Sequence, residues 1–193
     1  MIIPFFGQDV VVNKKPANRS QLLLMLSLVL LLASCTTGTW REASRQSANI
    51  APNPALTKEA LIHVYAADAW GWRGLFAVHT WFAVKPKNAD SYTVLEVIGW
   101  RQKRGLPVLR VEQDIPDRYW FGSKPDLILE KRGEGVDELI NAIYYWSEQY
   151  PWADRYQVFP GPNSNTYPAW IAKKVPELGL ELPFRAIGSG WEN

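Results

Sequence analysis

An α+β domain with a mainly antiparallel sheet is the fold class this sequence predicts, and three patterns predict it. Strand-like apolar runs come first, between residues 60 and 111. Short polar turns separate them, which suits antiparallel neighbours. Two helical patterns follow, one after Gly135 and one after Asn165.

The elements follow in order. Residues 60–67 (ALIHVYAA) are apolar and partly β-branched, as a first strand requires. Trp70-Gly71-Trp72-Arg73-Gly74 reads as a turn. Residues 75–84 (LFAVHTWFAV) are apolar on both alternating faces, which predicts a central strand. A polar turn at 86–90 leads to a third strand at 92–98, and residues 106–111 offer a fourth. Residues 114–126 are irregular and aromatic, and the short apolar stretch 127–129 precedes Gly133 and Gly135. Val136, Leu139, Ile140, Ile143 and Trp146 recur at helical spacing, and Pro151 closes that pattern. Residues 156–159 read as a strand that runs into the turn Pro160-Gly161-Pro162. Asn163-Ser164-Asn165 then enters the last helix, with Pro168 in its first turn. The Gly- and Pro-rich tail from residue 177 is expected to wrap the surface.

The chain of 193 residues has room for one such domain and an extension in front of it. Lys14, Lys15 and Arg19 precede an apolar run, residues 22–32, interrupted only by Ser27. That run falls short of the ~20 apolar residues of a spanning helix. With its positive flank it reads as a secretory signal peptide over residues 1–34. The segment Leu32-Ala33-Ser34-Cys35 resembles the lipobox of bacterial lipoproteins, in which cleavage precedes a cysteine that is then lipidated. The competing reading is an N-terminal anchor that is never cut. Cys35 is the sole cysteine, so no intramolecular disulfide can form. By the same resemblance Thr36, rather than Asp, after the cysteine favours the outer membrane. Residues 35–57, rich in Thr, Ser, Asn, Ala and Pro, read as lipidated cysteine and flexible tether, with the domain at 58–193.

Of 21 basic and 19 acidic side chains, Lys14, Lys15, Arg19 and Asp9 precede Cys35, so the remainder carries balanced charge. A neutral domain lacks the footprint of a nucleic-acid binder. Two histidines and one cysteine make no zinc-spaced cluster, no Gly-rich phosphate loop is present, and no cofactor is expected. Acids such as Asp114, Asp117 and Glu130 leave glycoside cleavage by paired carboxylates open.

The site candidates come from the two strands with polar interruptions and the last helix. Ser164 stands near the positive end of a helix, where Asn163, Asn165 and nearby N–H groups suit an oxyanion. A serine hydroxyl needs a base within hydrogen-bond reach, and His79 on the second strand is the candidate. Glu96, on an apolar face of the third strand, needs a partner and would orient that imidazole. The bland readings are a turn or cap serine, a satisfied core histidine, and a carboxylate paired with some arginine. Ten tryptophans include Trp70, Trp72, Trp81 and Trp120, candidates to line a ligand groove.

These residues carry two resemblances. His63 to Ala67, WGWRGLFAVHTW at 70–81, EVIGWR at 96–101, YWFG at 119–122 and PGPNSNT at 160–166 together look like the bacterial family known as domain of unknown function 3750. The order of a histidine in an early hairpin and an Asn-rich helix start much later is similar to circularly permuted papain-like enzymes. These include the NlpC-type and PPPDE-type peptidases and the lecithin:retinol acyltransferase group. That likeness implies a permuted papain-like architecture, with His79 matching the histidine and Ser164 standing where those enzymes hold a cysteine. It implies an envelope hydrolase or acyltransferase acting on an amide or ester of peptidoglycan or lipid. The alternative is a non-catalytic envelope-binding module that kept the fold without the thiol. The partners expected are the membrane, through Cys35, and a cell-wall or lipid ligand.

Overall fold

The computed structural model describes residues 39–191. Residues 1–38, on which the expected signal peptide, the expected lipidation at Cys35 and the start of the expected tether fall, lie outside the described residues. Five strands form one sheet: β1 (Leu61–Asp68), β2 (Val78–Lys85), β3 (Thr93–Val97), β4 (Leu109–Gln113) and β5 (Asp126–Arg132). Their order is β4-β3-β2-β1-β5, with every neighbouring pair antiparallel. The α-helices among the described residues are α1 (Gly99–Gln102), between β3 and β4, and then α2 (Val136–Glu148) and α3 (Thr166–Lys174), after the sheet. The α+β class with its longer helices late is therefore the observed one.

The apolar alternation of the strands feeds two cores. Ile62, Val64, Phe82, Val84, Leu95 and Val97 point to one face, where Ile140 and Ile143 of α2 and Tyr167 and Ile171 of α3 cover them. Tyr167 ties the two helices together, since its hydroxyl lies 2.6 Å from Ser147 Oγ. The opposite face carries Leu61, Tyr65, Trp81, Ala83 and Val94. Among the described residues no long helix covers it; Trp120 from the irregular 114–124 segment does, with Ile50 and Ala51 against it. A strand buried on both sides must be apolar on both sides, which explains the composition of β2.

Several boundaries differ from the sequence expectation. The second strand begins at Val78 rather than Leu75, because Gly71–Leu75 winds into a 3-10 turn. That turn closes with Ala77 N–H donating to Arg73 O (2.8 Å). The fourth strand runs 109–113 rather than 106–111. β5 is a full edge strand, and its polar residues 130–132 hide it from an apolar-run criterion. Residues 156–159 form no strand: Gln157 N–H donates to Pro162 O (2.7 Å), and the segment turns on itself. The hydrogen-bonded frame also starts earlier than residue 58. Ser47 Oγ donates to Asp117 (2.7 Å), and the Ile50 and Ala51 N–H groups donate to the same carboxylate.

Candidate functional site

The helix start at α3 is built from four buried polar residues, Asn163 to Thr166. Asn163 Oδ1 accepts from the Asn165 N–H (2.9 Å) and more loosely from the Thr166 N–H (3.4 Å). An asparagine two residues before the helix thus satisfies donors that helix starts leave open. Asn163 Nδ2 donates to Val158 O and Ile187 O. Asn165 Nδ2 donates to Val78 O and Ile187 O, and its Oδ1 accepts from Thr80 Oγ1 at 3.0 Å. Thr166 Oγ1 donates to Gly188 O. These amides are spent holding α3, the start of β2 and the C-terminal segment together. The N–H groups expected to cradle an oxyanion at Asn163 and Asn165 already have acceptors within the protein.

Ser164 sits in this latch, buried, with its carbonyl near the Thr80 hydroxyl (3.4 Å). The strand residue that meets it is therefore Thr80. His79, one residue earlier on β2, points to the other face of the sheet, because successive strand side chains alternate. There it stacks face to face on Trp120, with centroids 3.6 Å apart and planes within 8°. Trp81, two residues on, stacks beside it at 5.6 Å. The expected contact between Ser164 and His79 is thus replaced by Ser164 with Thr80. The sheet stands between the imidazole and the helix start.

Glu96 does meet His79, as the sequence suggested: His79 Nε2 donates to Glu96 Oε2 at 3.0 Å. The carboxylate has two further partners that the sequence reading did not name. Arg110 Nη1 donates to its Oε1 at 2.8 Å, and Arg118 Nη2 donates to the same oxygen. Arg110 lies directly opposite Glu96 in the β3–β4 ladder, so a strand-phase comparison could have found it. Arg118 arrives from the irregular segment and left no such signal; its guanidinium lies 5.5 Å over the Trp81 ring. Burial pushes His79 below its usual pKa, and the Glu96 hydrogen bond only partly opposes that. Burial alone would raise Glu96, but its bond to His79 and the charges of Arg118 and Arg110 outweigh this and hold it down at about 2. The result is a neutral imidazole donating to a carboxylate between two guanidiniums.

The other candidate acids are also engaged. Asp114 accepts from Arg110 (2.7 Å), Asp117 holds residues 47–51, and Glu130 pairs with His63 Nε2 at 2.9 Å. His63 Nδ1 in turn meets the Tyr65 hydroxyl at 2.9 Å. Among the described residues no group of three His, Cys, Asp or Glu side chains is placed to hold a metal. The four tryptophans proposed for a groove divide. Trp81 and Trp120 are buried, and Trp81 Nε1 donates to Pro116 O, so neither offers a face to a ligand. Trp72 is 70% exposed, and Trp70 is half-buried against Phe121. Other tryptophans do line a depression: Trp152, Trp170 and Trp191 bound a cleft of about 270 Å³ with Lys174 on its wall.

The architecture defines an α+β protein with one antiparallel sheet, a helical layer on one face and an ion-paired aromatic layer on the other. The chain belongs to the family described as Protein of unknown function (DUF3750), whose model matches residues 59–191. No curated protein and no solved structure matches it.

Proposed function

We propose that this protein is a cell-envelope lipoprotein, anchored through Cys35 and facing the periplasm, whose domain binds a cell-wall ligand without cleaving it. The observation that carries the non-catalytic reading is the commitment of the α3 start. The Thr80 hydroxyl donates to the Ser164 backbone carbonyl, the His79 imidazole is turned to the other face of the sheet with its Nε2 on Glu96, and the Asn163 and Asn165 amides are bonded within the protein. A nucleophile needs a base and free oxyanion donors at one place. The order of a histidine-bearing strand first and an Asn-rich helix start late supports a permuted papain-like ancestry of the scaffold. The anchor rests on the lipobox-like segment and the short apolar run before it.

The ligand seat we favour is the cleft between Trp152, Trp170 and Trp191. Indole faces stack on sugar rings, and an exposed ammonium, Lys174, beside them suits a carboxylate. A carboxylate-bearing cell-wall glycan has both features. Sedimentation with isolated cell-wall sacculi tests this. The protein is expected to co-sediment, Lys174→Glu to weaken binding several-fold, and Ser164→Ala to leave it unchanged. Soluble wall fragments released by the wild type and not by Ser164→Ala would reinstate the hydrolase.

A further inference from the structure

Large apolar side chains stand exposed mainly at one end of the sheet. This is the end where β1 stops, β2 starts, β3 stops and β4 starts. Trp72, Leu75 and Phe76 project from the turn between β1 and β2, with Leu75 84% exposed. Trp100 stands on α1, after β3. Phe159 is 73% exposed just ahead of α3, and Phe184 in the C-terminal segment is 99% exposed.

Contacts join these loops into one surface. Arg185, next to Phe184, donates to Gly74 O and pairs with Asp68 at 2.9 Å. Asn163 holds Val158 O and Ile187 O together. Gly99, beside Trp100, lies so close to the Tyr156 ring that a Cβ there would collide with it. Phe121 touches both Trp70 (5.6 Å) and Trp100 (5.5 Å). Side-chain bonds to backbone carbonyls thus hold these loops beside one another. Leaving such rings in water forgoes the gain from burying them, and a patch of this kind marks an interaction surface.

Charge indicates what covers it. Lys103 and Arg104 are exposed just after Trp100, Arg155 is exposed beside Tyr156, and Arg73 is part-exposed beside Trp72. The acidic side chains at this end include Glu42, Asp68, Asp126, Asp154 and Glu181, fewer than the basic ones, which also include Arg41, Arg45, Lys124 and Arg185, and Asp68 is already paired with Arg185. Aromatic rings surrounded by basic residues match the interface of an anionic bilayer. The described chain also enters at this end. Arg45 lies 4.3 Å over the Phe121 ring, Gly122 N–H donates to Ser44 O, and Trp40 is half exposed close by. Three residues separate Thr39 from Cys35 in the sequence.

We infer that this end docks on the anionic leaflet of a lipid bilayer, with Trp72, Phe76, Phe159 and Phe184 at the headgroup level and the basic side chains on the phosphates. The inference uses the Cys35 anchor of the preceding section for orientation only, and its test does not depend on that anchor. Residues 39–191 contain the whole sheet, its helices and both cores, so residues 39–193 serve as an unlipidated domain. They are mixed with phosphatidylethanolamine vesicles containing phosphatidylglycerol, and with neutral phosphatidylcholine vesicles. Sedimentation with the anionic vesicles and a blue shift of tryptophan emission are expected. Trp72→Ser, Phe159→Ser and Phe184→Ser together are expected to weaken binding at least tenfold with an unchanged circular dichroism spectrum. Lys103→Glu with Arg104→Glu is expected to remove the preference for anionic vesicles. No binding to anionic vesicles, or binding unmoved by the triple substitution, overturns the inference. So does a dimer that the triple substitution abolishes without any vesicle binding, which would make a second copy the occupant.

Discussion

Glu96 shows how far a single residue could be read. Its position on an apolar strand face demanded a partner, and the histidine of the neighbouring strand, His79, was the candidate. The pairing is present at 3.0 Å. What the chain order concealed is that Arg110 and Arg118 share the same carboxylate, one across the ladder and one from an irregular loop. Glu96→Gln keeps the shape and removes the charge. It removes one of the two carboxylates shared by these largely buried guanidiniums and leaves Asp114, at 2.7 Å from Arg110 and 3.7 Å from Arg118, so the loss is expected to fall below the roughly 3–5 kcal/mol of a fully unpaired buried charge, at about 2 kcal/mol. Urea unfolding is expected to show that loss, whereas a change under about 1 kcal/mol would mean that water screens the network. Ser164 was located correctly at the helix start. Which strand side chain would meet it was not legible, because a one-residue difference, Thr80 or His79, decides the face.

At the scale of elements, α2 was readable because it repeats one period long enough to be unambiguous, and β2 because an unbroken apolar run between turns marks a strand buried on both faces. β5 was not, because an edge strand with charged residues lacks the apolar run. Residues 156–159 have strand composition but no strand to pair with, so composition misled there. The start of α3 is a junction rather than a simple cap. Asn163 alone joins α3, the 158 loop and the C-terminal segment, and Gly188 leaves the room it needs by having no Cβ at φ +91. Asn163→Ala removes these bonds and leaves the buried Asn165 N–H unpaired, at a cost of roughly 1–3 kcal/mol, while Ile187 O keeps its bond from Asn165. Thermal melts are expected to show clear destabilisation, and limited proteolysis is expected to cut the segment after residue 178 first. Unaltered cleavage there would show that Asn165 and Thr166 hold the tail without it.

The whole molecule answers to pH through its ion-paired face. Both histidines have folded pKa values below their usual 6.5, lowered by burial against the pull of Glu96 and Glu130. A depressed value means that the unfolded chain binds the proton first, so stability is present above pH ~6.5 and falls as pH drops below it. Glu96, at about 2 when folded against 4.5 unfolded, adds a second loss as pH falls from 4.5 toward 2. Denaturation midpoints taken at intervals from neutral pH downward are expected to decline in these two stages. A flat profile between pH ~7 and ~5 would contradict the burial of neutral imidazoles. The same face explains why the molecule reads as it does. Local sequence decided the α+β class, the central strand and the main helices, since those follow from patterns within one or two segments, and it named His79 as the partner that Glu96 needed. The tertiary structure alone decided which face of the sheet α3 covers, which arginines reach Glu96, and that the exposed aromatics gather at one end. Those depend on long-range packing, which brings together residues whose separation along the chain carries no periodic signal.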